Sequence, residues 1–250
     1  MYLLNKLSFI SVLSVLSINF AHAQNADDNR IRFFAEGGAG VNFGHSYKNM
    51  VLEYDTVSGS FASSSEVTYD NIDFSPSFSG KVSVGASLND NFYISGQVFK
   101  MFEADLESTT TQYSSTSGAS GSARGLDTSG DLMLYTANIG FDLPLSWRGI
   151  GVFGEAGAGV AQLKMDYYRG SSNPYRYTNI PEDLNGYAGT LTVGAWREVS
   201  NNLTARCGVG LTRAKLEGDR TTYNGSNTEE STLTTDLRTW NTTCGLRLSL

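Results

Sequence analysis

His45, followed by Ser46, is the one histidine beyond the N-terminal segment. A histidine beside a hydroxyl is where a general base for acyl transfer or lipid deacylation would be sought. No paired nucleophile motif accompanies it, so a polar residue at a strand end is the preferred reading. Glu36 and Glu155 occupy matching places in two similar segments and could form an acid/base pair. The expectation is that they serve instead as structural partners of Lys81, Arg206 and Arg247. Glu66, Asp70 and Asp73 could approach calcium, yet their spacing matches no standard calcium loop. Cys207 and Cys244 fall on neighbouring expected strands, where the right register could join them. Two small apolar residues facing outward is the account preferred here. The glycine clusters Gly37 to Gly44 and Cys207-Gly-Val-Gly210 make no phosphate loop, because no helix follows them. No catalytic, cofactor or metal residue is assigned.

These residues sit in a chain that repeats itself. Phe34-Ala-Glu36-Gly-Gly-Ala-Gly40-Val41 returns as Phe153-Gly-Glu155-Ala-Gly-Ala-Gly159-Val160. Phe78-Ser-Gly80-Lys-Val82-Ser-Val84-Gly85-Ala86 returns as Tyr187-Ala-Gly189-Thr-Leu191-Thr-Val193-Gly194-Ala195, and Tyr135 to Leu143 returns more weakly as Trp240 to Leu248. Each piece alternates at period two, the signature of strands. Alternation gives eight strands, roughly 31–45, 76–88, 92–104, 132–143, 150–166, 186–197, 203–215 and 233–250. Three connections are short, and four are long (46–75, 105–130, 169–185 and 216–231). Met50 to Tyr54 and Val67 to Tyr69 could extend strands or add a hairpin, so ten strands is the alternative. A duplicated set of four strands closes most simply into a barrel, since closure alone removes unpaired edges.

Residues 1–23 read as a cleaved signal peptide. Lys6 supplies the positive start, Leu7 to Phe20 the apolar stretch and Ala21-His22-Ala23 the cleavage site. Residues 24–250 form the barrel domain. No later apolar run approaches the 20 or so residues of a spanning helix, so any span must be made of strands. A net charge of −7 argues against a nucleic-acid partner. The four long loops hold fourteen Asp/Glu against five Lys/Arg, so the acidity lies there. Twelve Ser or Thr in residues 105–130 suggest a mobile, solvated segment.

Parity assigns faces. Phe33, Ala35, Ala39, Val41 and Phe43 point to lipid, as do Phe78, Val82, Val84 and Leu88, and on the last strand Trp240, Leu246, Leu248 and Leu250. Glu36, Lys81, Asp142, Glu155, Arg206 and Arg247 point inward, three acids against three bases, as a charged interior requires. The inward glycines Gly38, Gly40, Gly85, Gly140, Gly157, Gly159, Gly194, Gly208 and Gly210 make room for those long side chains in a narrow lumen. Tyr135, Tyr167, Trp147, Trp196, Trp240, Phe92 and Phe141 cluster toward strand ends as interfacial girdles.

Three features together resemble the small bacterial outer-membrane β-barrels of the OmpA-transmembrane-domain and opacity-protein type, over Gly37 to Leu250. They are Glu-x-Gly-x-Gly in the first strand of each half (Glu36 to Gly40, Glu155 to Gly159), the aromatic-x-Gly-x-Val/Leu-x-Val-Gly-Ala strand, and the terminal Thr243-Cys-Gly245-Leu-Arg-Leu248-Ser-Leu250. The last is similar to the family's insertion signal, with Gly245, Leu248 and Leu250 in its key places, although the family usually carries Phe at the final one. The resemblance implies an eight-stranded antiparallel up-and-down barrel in the outer membrane with both termini periplasmic. Its implied partners are outer-membrane lipid, the barrel assembly machinery and a host or environmental surface ligand. The expected role is non-enzymatic: adhesion, surface interaction or envelope integrity through mobile acidic loops. The alternatives are a narrow porin and, behind it, a lipid-modifying enzyme.

Overall fold

The computed structural model describes residues 31–58, 61–114, 120–123, 128–145, 149–167, 180–224 and 227–250. All of them from Arg32 onward belong to one compact unit, Arg32–Leu250. The signal-peptide segment 1–23, Trp147 and the side chains of His45, Asp70, Asp73 and Tyr167 lie outside the described residues.

Ten antiparallel strand segments make up the unit: β1 Arg32–Ser58, β2 Phe61–Phe74, β3 Ser77–Ser87, β4 Phe92–Ser114, β5 Ser120–Ala123, β6 Thr128–Pro144, β7 Ile150–Tyr167, β8 Asp183–Ser200, β9 Leu203–Asn224 and β10 Asn227–Ser249. The pairings run β1–β3–β4–β6–β7–β8–β9–β10 and return to β1, which closes the sheet. The two remaining segments lengthen columns already present. β2 continues β3 in one register against β1, with Asn42 opposite Ser77 and His45 opposite Phe74. Pro76 interrupts that column, as a residue with no backbone donor must. β5 stands above β6 in the same way, both segments pairing with β4.

The strands reach well past the segments that alternation marks out. β1 runs for 27 residues, and β4 and β10 for 23 each, where a tilted strand crosses the hydrocarbon with about 9–11. Residues 46–58, 61–74, 216–224 and 227–231, expected in loops, are therefore largely sheet. The expectation of a mobile segment fails for 105–114 and 120–123, which are strand. Thr109, Thr110 and Thr111 have branched side chains suited to a pleated surface, and Thr111 pairs with both Tyr69 and Ala123. Gly44, at φ 60°, sits in a register shift between Phe43 and Ser46. A left-handed glycine is what such a bulge favours; the extra residue exchanges the faces of β1 over Ser46 to Lys48, and a second shift between Lys48 and Val51 restores them.

Burial divides the barrel along its axis. Toward the end that carries Arg32 and Leu250, the outward residues of β9 are Ala205, Cys207, Val209 and Leu211, and the inward ones Arg206, Gly208, Gly210 and Thr212. Beyond Thr212 the polarity inverts. Arg213, Lys215, Glu217 and Asp219 face out, while Ala214 and Leu216 are buried. The same exchange occurs on β10, where Trp240, Leu246 and Leu248 face out below and Leu233 and Leu237 face in above.

At the long-loop end, Tyr47, Met50, Leu52, Phe99, Met101, Leu132, Leu134, Leu163, Met165, Ile180, Leu184, Leu216, Leu233 and Leu237 form an apolar core. The interior is thus not ionic throughout, as expected from the lower strands alone. A wall standing in water is stabilised by apolar filling, at about 1.5–3 kcal/mol per buried large side chain. A wall standing in lipid has no such gain to make inside.

Cys207 and Cys244 are directly opposite in the β9–β10 register, with Cα atoms 4.1 Å apart, and are joined as a disulfide. This corrects the reading of two separate apolar residues. Both do face outward, as parity required.

Candidate functional site: an ionic cluster over aromatic–glycine pairs

Glu36 is placed by β1 directly opposite Arg247 of β10. Its carboxylate accepts from Arg247 Nε at 2.9 Å and meets Lys81 Nζ of β3 at 2.7 Å. Arg206 Nη1 of β9 lies 3.4 Å from the same carboxylate, a charge contact without hydrogen-bond alignment. Asp142 of β6 closes the group from across the lumen, 3.1 Å from Arg206 and 2.9 Å from Arg247. Glu36, Arg206 and Arg247 are each at least 94% buried. Two acids here meet three bases, and only with Glu155, held nearby through Tyr93, do the charges balance, which makes such burial tolerable.

Five of the six expected site residues meet in this group by direct ion pairs. Glu155 does not pair with a base: it accepts a hydrogen bond from the Tyr93 hydroxyl at 3.0 Å, and that hydroxyl accepts one from Arg206 at 3.0 Å. The phenol, from the first half, thus links Glu155 to Arg206, both of the second half.

Tyr93 is one of three aromatic residues absent from the expected site. Phe34, Tyr93 and Phe153 are buried and lie opposite glycines, in the pairs Phe34–Gly85, Tyr93–Gly140 and Phe153–Gly194. A Cβ on any of these glycines would collide with the facing ring. Those glycines therefore seat rings rather than long polar chains, a correction to the expected reason for them. The arginines lie on the rings. Arg247 is 4.0 Å above Phe34 and 4.3 Å above Tyr93, and Arg206 is 4.0 Å above Phe153. Cation–π contacts of this kind, shielded from water, are worth about 2 kcal/mol or more.

The repeat explains the pattern. Phe34, Glu36 and Gly85 correspond to Phe153, Glu155 and Gly194, so each half supplies a ring, a carboxylate and a seat. Asp142 and Arg247 also correspond. At that position the two halves differ in sign, and the two side chains pair across the lumen. The signal that could have revealed Tyr93 was its inward parity beside outward Phe92, opposite an inward glycine.

Above the cluster lies a polar layer containing Asn42, Ser79, Thr136, Asn138, Thr212, Asn241 and Thr243, all buried. It encloses a cavity of about 10 Å³ lined by Lys81, Gln97, Thr190, Thr192 and Asn241 among others, roughly one water's space. Among the described residues no three His, Cys, Asp or Glu side chains come together to hold a metal.

Gly245 faces inward opposite Gly38, while Leu248 and Leu250 are exposed on the outer face. Leu250 N donates to Phe33 O at 2.8 Å, so the end of the chain is tied into the closing seam. Phe92, Tyr135, Phe141 and Trp240 face outward as expected of girdle residues. Trp196 does not belong with them. It shares the inward parity of Gly194, and its indole packs over Gly151 and donates to Val152 O at 3.2 Å.

A closed antiparallel sheet with an apolar outer band and a paired ionic interior is a transmembrane β-barrel of the outer-membrane type. No family model and no curated protein matches the sequence. Solved structures similar in fold include the outer membrane protein OprG from Pseudomonas aeruginosa, at 12% identity and a TM-score of 0.48 over 89% of this chain and 97% of that one. Neisserial surface protein A is similar at 13% identity and 0.40 over 86% and 96%. The outer membrane protease OmpT from Escherichia coli is similar at 10% identity and 0.42 over 91% and 100%.

Proposed function

We propose that this protein is a non-enzymatic outer-membrane surface protein: a sealed barrel that raises a charged wall beyond the bilayer. Its termini face the periplasm, and its role is surface attachment or envelope integrity. The observation that carries this reading is the filling of the interior by the described residues. Ion pairs, a polar layer with space for about one water, and an apolar core follow one another along the axis. Among the described residues that succession shows no continuous solute path, which weighs against the narrow porin. The outer face above the apolar band carries Glu53, Asp55, Glu66 and Glu230, all exposed, with Glu53 opposite Glu66 and Asp55 opposite Glu230. Like charges directly opposite are unfavourable, so these carboxylates contribute to the surface rather than to stability.

The test compares cells expressing the wild type with cells expressing Glu53, Asp55, Glu66 and Glu230 all changed to Gln. Reduced surface attachment or altered envelope sensitivity, with normal heat-modifiable migration, supports the proposal. Unaltered behaviour in both assays, or discrete conductance steps from the wild type in planar bilayers, contradicts it.

A further inference from the structure

We propose that the outer wall of β1, β9 and β10, where the apolar band ends, binds the phosphorylated headgroup of a lipid in the surrounding leaflet. The inference rests on the membrane reading above and adds to it a site and a ligand chemistry. The band's upper edge here is Phe43, Trp240 and Leu211. On β10 it extends over residues 240–250, close to the 9–11 or so that cross hydrocarbon.

The next outward residues are basic on β9 and β10, and on β1 a base follows one row later, past Ser46. Arg238 follows Trp240, Arg213 and Lys215 follow Leu211, and Lys48 stands above Phe43 past the bulge. Arg238 lies directly opposite Arg213, while Asp236 lies between Lys48 and Lys215. The patch therefore holds four bases and one acid, in a chain whose net charge is −7. Beyond the Lys48–Asp236–Lys215 row the outward residues turn acidic, at Glu217 in the next row and Asp219 and Glu53 in the one after.

Two guanidinium groups directly opposite on a sheet repel each other. Among the described residues neither Arg213, Arg238, Lys48 nor Lys215 takes part in an ion pair. Arg238 lies over the Trp240 ring at 5.6 Å, and its Nε is buried without an acceptor. Stacking of this kind holds a guanidinium at a fixed height and leaves its donors unspent. A phosphate oxygen of a lipid seated on the band would reach that height, answer the repulsion and accept those hydrogen bonds. The acidic rows above would keep the headgroup from rising further.

The experiment refolds the full chain into phosphatidylcholine vesicles, with and without phosphatidic acid as the phosphomonoester probe. Lipid retained after detergent extraction is then counted by native mass spectrometry. Wild type is expected to enrich phosphatidic acid about tenfold or more. The variant K48Q/R213Q/K215Q/R238Q is expected to lose that enrichment, and a control at the opposite rim, R32Q/R197Q, to keep it. Equal retention by the quadruple variant, or equal loss in the control, overturns the site. Insertion without enrichment defeats this inference alone, whereas failure to enter either vesicle defeats the membrane reading as well.

Discussion

Glu36 is the carboxylate on which three cations converge, so its removal exposes what each pair contributes. Glu36→Leu would leave Lys81, Arg206 and Arg247 with Asp142 as the one remaining acid in direct contact. Breaking one side of a buried ion group costs about 3–5 kcal/mol. The expected result is a clear fall in the midpoint of heat-modifiable gel migration, and an unchanged midpoint would remove the cluster from the stability account. Asp142 and Arg247 permit a finer measurement, because they are equivalent positions of the two halves and pair at 2.9 Å. The singles Asp142→Arg and Arg247→Asp should each destabilise. The double exchange should recover part of the loss, with a coupling of about 0.5–3 kcal/mol in a double-mutant cycle. Strict additivity would contradict a direct pairing. The charged residues of this cluster were readable from the sequence, because period-two alternation fixes a face whatever the register. Phe34, Tyr93 and Phe153 were not, because an aromatic residue in a barrel strand is read first as lipid-facing. Parity turns them inward, and the register, which puts each opposite a glycine, shows them as the platform for the arginines.

At the scale of the strand, the aromatic–glycine pair recurs and can be tested by adding one methyl group. Gly140→Ala would push a Cβ into the Tyr93 ring, whereas Gly96, facing outward with nothing within 4 Å, has room. Overpacking of this kind costs about 1–3 kcal/mol. Gly140→Ala should therefore unfold earlier in a urea titration in micelles, with Gly96→Ala close to wild type. Equal effects would show that glycine matters at both places for some reason other than the ring. The β9–β10 disulfide gives a chemical count. The denatured chain should offer no reactive thiol before reduction and two after. With the cysteines 37 positions apart in the chain, losing the link should cost about 2–4 kcal/mol. Two thiols labelled without reductant would refute the bond. The spacing of Cys207 and Cys244 allowed a bridge but could not require it, since one residue of slip between β9 and β10 parts them. The upper strands were illegible for another reason. Above the band the outward positions become charged and Ser- or Thr-rich, which in isolation reads as a loop. What makes these segments sheet is a neighbouring strand already in place, as for Thr111 between Tyr69 and Ala123.

For the molecule as a whole, the organising fact is that one cylinder carries two opposite polarity patterns. Near the termini it is apolar outside and ionic inside, and toward the long loops it is charged outside and apolar inside. Both exchanges fall at nearly the same height, at Thr212–Arg213 on β9 and Thr239–Trp240 on β10. The solvent boundary is thereby marked twice, once on each face of the wall. The sharpest measurement places single spin labels along β9 in a disulfide-free background, in reconstituted vesicles, and compares collisions with oxygen and with a water-soluble nickel chelate. Labels at Val209 and Leu211 should meet oxygen, labels at Lys215 and Glu217 should meet the chelate, and labels at Thr212, Ala214 and Leu216 should meet neither. Chelate access at Val209 and Leu211, or at the inward positions, would contradict a sealed barrel seated in lipid at that height.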